Sequence, residues 1–148
     1  MSMARTYVSR PISKEHHHSE TLILWCSDPR LRGKVLEDFV AAGKFDPYDL
    51  ICLPGGAKVL ATPSIEGTIV GGYAQVLRGL HHFNVVVLTM HEDCGACGGS
   101  KAFDGDCQKE HEFLKGTLEK AKQAVLALSP EVRVVRAVVN FNGFDFLD

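Results

Sequence analysis

Two short apolar runs set the terms on which this chain can fold. Thr21 to Cys26 (TLILWC) and Val85 to Met90 (VVVLTM) are almost wholly hydrophobic, so neither offers a face to solvent. Runs of this length are strands covered on both sides, as in a parallel sheet packed between helices. Both also lead into chemistry: the first closes on Cys26, and His91 follows the second directly.

The intervening segments have helical spacing. Leu31, Val35, Leu36, Phe39 and Val40 repeat as one face of a helix, with Gly43 placed where a left-handed cap belongs. Asp49 to Leu53 (DLICL) reads as another strand, closed by Pro54, Gly55 and Gly56, and Cys52 within it as a small core residue. From Ser64 onward Ile65, Ile69, Val70, Tyr73, Val76, Leu77 and Leu80 mark one face of a long helix. Gly67, Gly71, Gly72 and Gly79 in that helix each cost about 1 kcal/mol relative to alanine, which close packing against a neighbour would offset. Glu92 to Asp106 is loop by composition. Phe113, Leu114, Leu118, Ala121, Val125 and Leu128 then define a final helix stopped by Pro130, and Val132 to Asn140 the last strand.

Strands alternating with helices predict an α/β fold, a mostly parallel central sheet flanked by helices. With no repeat or linker, residues 1–148 form a single domain, in which residues 1–20, with Pro11 and His16 to His18, are an N-terminal arm. A net charge of -2 supplies no basic field for nucleic acid. No apolar run approaches the ~20 residues of a membrane span, and the first residues lack a signal-peptide core, so the expectation is a cytoplasmic protein with neither a nucleic-acid nor a membrane partner. In that setting the five cysteines are metal ligands or reduced thiols rather than disulfides.

Ligands of open parallel sheets bind beyond the carboxyl ends of the strands. Cys26 ends one strand, and His91 and Cys94 follow another; if the two strands are neighbours, three ligand side chains meet at one edge. Two thiolates and an imidazole favour zinc, and three protein ligands leave a fourth position for water. Cys97 as a fourth ligand would instead close the site. Cys94 and Cys97 also form a C-x-x-C pair, but a dithiol redox role would leave Cys26, Asp28, Arg30 and His91 without tasks. Asp28 and Arg30 are opposite charges beside the metal position, where a carboxylate can orient water or itself ligate zinc. Cys107 carries no signal, and His81 and His82 read as ordinary helix-end residues.

Cys26-Ser27-Asp28-Pro29-Arg30 resembles the C-x-D-x-R motif of β-class carbonic anhydrases, and His91-Glu92-Asp93-Cys94-Gly95 their H-x-x-C-G motif. The resemblance spans roughly Thr21 to Gly99. It implies a zinc enzyme that interconverts carbon dioxide and bicarbonate by zinc-bound hydroxide, working as a homodimer or an assembly of dimers, with Cys26, His91 and Cys94 on zinc. It further implies that Asp28 either pairs with Arg30 or binds zinc directly in a closed, inactive state. Leu53 to Ala57 stands where the family commonly has Arg-Asn-Ala-Gly: the glycine turn, Gly55 and Gly56, persists as a candidate substrate contact, and the polar pair does not. Counting back from Cys26 places His17 where some members have a substrate-binding glutamine. The same zinc site would also serve a carbonyl sulfide or carbon disulfide hydrolase, or, if closed, a non-catalytic zinc module.

Overall fold

The computed structural model describes residue 9, residues 11–13 and residues 18–148. Most of the expected arm, with His16 and His17, lies outside these; His18 is exposed and bonds Glu20 at 2.7 Å. Along the chain come β1 (Thr21–Cys26), α1 (Lys34–Gly43), β2 (Tyr48–Leu53), α2 (Ile65–His81), β3 (Val85–His91), α3 (Cys107–Leu128), β4 (Arg133–Asn140) and β5 (Gly143–Phe146). The sheet order is β2-β1-β3-β4-β5, parallel except for the antiparallel β4–β5 pair. This is the single-domain, mostly parallel α/β fold that the apolar runs predict.

Alternation along β1 divides the core. Leu22 and Leu24 point into the layer formed by α2 and α3, with Leu88, Leu114, Leu118 and Ala121. Ile23 and Trp25 point into the other, with Phe39, Val40 and Phe45. β1 lies between β2 and β3: the chain steps to β2 on one side and to β3 on the other, so the β1–β3 seam is a topological switch point, where such sheets open a crevice.

Two local expectations are corrected, and two features are added. β5 was not anticipated; four residues give little periodicity, but pairing with β4 and the Phe144 and Phe146 rings around Phe39 hold it in place. Cys52 is exposed rather than core, because β2 is an edge strand. The left-handed cap of α1 is Lys44, at φ +55. Gly43 serves a different need: a Cβ there would lie 2.0 Å from the Phe45 ring, which folds back over it. Finally, the apolar stripe of α2 faces outward. Ile65 is 78% exposed, Tyr73 62% and Val76 61%, whereas Val70 is buried. No helix among the described residues is long and apolar enough to cross a membrane.

Candidate metal centre

Backbone pairing between β1 and β3 stops at Leu24 and Leu88. The Thr89 hydroxyl, which donates to Leu24 O at 2.5 Å, ties the strands once more before they part. Cys26 and His91 stand at the two ends beyond that tie, and Cys94 returns in the loop after β3. Their donor atoms lie within 4.8 Å of one another, and all three residues are buried. The two sulfurs are 4.0 Å apart.

The residues fit a metal ion. His91 Nδ1 donates to Glu92 O at 2.7 Å, which fixes the tautomer and leaves Nε2 free to coordinate a cation. Among the described residues Nε2 of His91 is the buried side-chain N or O atom without a hydrogen-bond partner, a costly state unless a cation takes it. Hydrogen bonding with Cys94 and burial push the Cys26 thiol up to about 11. A soft divalent cation opposes that shift, since it binds the thiolate. Backbone N–H groups of Asp28 and Gly55 point at the Cys26 sulfur and favour its charged form. Two thiolates and one imidazole are a zinc-type donor set.

Asp28 is anchored twice. Its Oδ1 accepts from the Arg30 backbone N–H at 2.9 Å, capping the short turn Pro29–Leu31, and its Oδ2 accepts from Arg30 Nη2 at 2.7 Å. Trp25 Nε1 donates to Leu31 O at 3.0 Å and pins the far end of that turn to the core. The guanidinium holds the Asp28 carboxyl down to about 2, so it is ionised across the neutral range. Its Oδ2 is 3.8 Å from His91 Nε2, at the edge of the metal position. A cavity of about 150 Å³ adjoins His91 and Arg30, walled by Leu31, Val35, Val139 and Phe141.

Other sequence candidates fall nearby or away. Gly55 and Gly56 form the turn beside Cys26, with Gly56 at φ +56. Cys97 is outside the three-residue cluster; its thiol hydrogen-bonds with Cys94 and lies near the Lys58 ammonium, and these two pull it down to about 7. His81 pairs with Asp49 at 2.8 Å, and Cys107 is exposed on α3. Glu110 was missed. It is 4% exposed, and its carboxylate accepts from the Asp93 N–H at 2.6 Å and the Ser100 hydroxyl at 2.8 Å. It sits four residues before Leu114 and eight before Leu118, on the inward side of α3, which is the signal that could have found it.

The fold is that of the β-carbonic anhydrases. The chain is similar to β-carbonic anhydrase isoform I from Trichomonas vaginalis, with a TM-score of 0.56 at 13% identity over 93% of this chain and 87% of that one. It is also similar to the carbonic anhydrase of Glaciozyma antarctica, with a TM-score of 0.53 at 17% identity over 89% of this chain and 83% of that one. In sequence it is 26% identical over 140 residues to an uncharacterized protein of Rickettsia bellii, covering 89% of this chain and 85% of the relative. No family model matches.

Proposed function

We propose that this protein is a zinc-dependent carbonic anhydrase that interconverts carbon dioxide and bicarbonate. The observation that carries the reading is the placement of Cys26, His91 and Cys94 around one point, with His91 Nε2 unsatisfied and the Arg30-held Asp28 carboxylate 3.8 Å from it. Zinc held there by the three residues supplies the Lewis acidity that makes water a nucleophile near neutral pH. Asp28, ionised and acceptor-only, orients that water by taking a hydrogen bond from it. Arg30 keeps Asp28 from taking the water's place, and Asp28 ligating zinc directly is the proposed closed state. Apolar walls at Leu31, Val35 and Val139 suit an uncharged linear substrate. The backbone of Gly55 and Gly56, together with His17, is the proposed substrate contact.

The proposed assembly is a homodimer, with the outward apolar stripe of α2 as its interface. That stripe is unusual for an exposed helix face and fits a surface that a second copy covers. The proposed setting is the cytoplasm, where the five free cysteines stay reduced.

Stopped-flow hydration of carbon dioxide by the zinc-loaded protein tests the reading, with carbonyl sulfide and carbon disulfide assayed alongside. Turnover of carbon dioxide that rises with pH and is abolished in Cys94→Ser is the expected result. Turnover of a sulfur analogue alone reassigns the substrate, and no turnover with zinc bound points to a closed, non-catalytic site.

A further inference from the structure

Asp93 stands between two metal-ligand residues of the second motif, yet its side chain turns away from the metal position to Arg30. Arg30 Nη1 donates to Asp93 Oδ2 at 3.1 Å and Nη2 to Asp93 O at 2.9 Å, while Nε and Nη2 hold Asp28. The guanidinium therefore bridges the loop after β1 and the loop after β3. It is half exposed, with the Phe141 ring 5.9 Å away. An exposed ion pair of this kind is weak when its members are free to move.

Here they are not free. Asp93 adopts a left-handed backbone, φ +54, uncommon for a residue with a side chain. Its N–H donates to Glu110 Oε1 at 2.6 Å, and its Oδ1 accepts from the Ser100 N–H at 2.9 Å. Ser100 Oγ donates to the other oxygen of Glu110 at 2.8 Å. Glu110 is a buried carboxylate with no lysine, arginine or histidine nitrogen within 4 Å among the described residues. Burying such a group among neutral donors is expensive. It projects from α3, which Leu114 and Leu118 lock against the sheet. The Arg30 guanidinium is thus referenced, through Asp93, to a rigid helix rather than to its own loop.

We propose that Asp93, Ser100 and Glu110 form a positioning brace that fixes Arg30 and thereby sets how firmly Asp28 is held off the metal. The inference rests on the zinc reading above and extends it to Ser100 and Glu110, which lie outside both motifs, and to Asp93, an unassigned position within the second. Loosening the brace leaves the Asp28 carboxylate chemically unchanged but frees its partner, so the population shifts toward Asp28 on the metal.

The test loads the full chain with cobalt(II) in place of zinc at one mildly alkaline pH. The visible spectrum reports thiolate ligation and coordination, and water-proton relaxation reports exchangeable water on the metal. Glu110→Gln and Ser100→Ala should each shift the open-to-closed ratio about fivefold toward closed, the effect of losing one hydrogen bond. In an Asp28→Ala background neither substitution should change the spectrum or the relaxation, whereas a merely structural role would disturb both backgrounds alike. If Glu110→Gln does not fold, Ser100→Ala carries the test. Thiolate-bound cobalt with the same exchangeable water in wild type and variants, or a shift that persists without Asp28, overturns the brace alone. Wild-type protein that binds no cobalt through its thiolates overturns the metal reading itself, and the brace with it.

Discussion

Of the two helices on the Leu22 and Leu24 side of the sheet, α3 buries Leu114, Leu118 and Ala121 in the core, whereas α2 buries Val70 and turns Ile65, Ile69, Tyr73, Val76 and Leu80 to solvent. Beneath α2 an apolar cavity of about 70 Å³ remains, edged by Val70, Ala74, Phe83, Val125 and Leu128. Both helices carry a 3.6-residue apolar repeat. In α3 the repeat marks what the monomer needs; in α2 Val70 and Leu77 serve the core, and the rest of the repeat is left uncovered. Hydrophobic period identifies a helix and its apolar face, but not what that face meets.

Substitutions sharpen the contrast. Leu118→Ala in α3 should destabilise the protein most, by about 2–5 kcal/mol, because the side chain is fully buried and its loss leaves a cavity; urea denaturation measures it. Val76→Glu in α2 should leave folding nearly untouched, while weakening self-association by about 2 kcal/mol or more through a charge buried at the proposed interface. Sedimentation equilibrium reads the change, and an unaltered oligomeric state would remove α2 from the interface. The smallest effect carries a sign. A Cβ at Gly72 meets nothing within 4 Å in the monomer, so Gly72→Ala should stabilise an isolated chain by about 0.5–1 kcal/mol through helix propensity. If a second copy packs closely there, the same substitution should weaken the dimer. Thermal unfolding at low and high protein concentration separates the two.

The same contrast explains what was legible in the sequence. Cys26, His91 and Cys94 could be found because strand ends are marked by where an apolar run stops, and a parallel sheet brings those ends to one edge. Asp28 and Arg30 were legible because they sit within one turn of Cys26. The bonds of Glu110 to Asp93 and Ser100 were not, since Glu110 reads as one more charged residue on a polar helix until α3 is placed against the loop after β3. β5 and the exposure of Cys52 depend on sheet order, which pattern alone does not give.

Gly56 bears on the candidate metal centre through the backbone alone. A Cβ there would come within 2.4 Å of Thr89 O, two residues before His91, and 3.4 Å of the Cys26 backbone nitrogen. The gap between the strand that carries Cys26 and the strand that carries His91 is therefore gauged by the thickness of a bare peptide. Any side chain at position 56 would act as a shim, prising the ends of β1 and β3 apart and carrying Cys26 away from His91; the spacing of that pair is in this sense encoded by an absence of atoms.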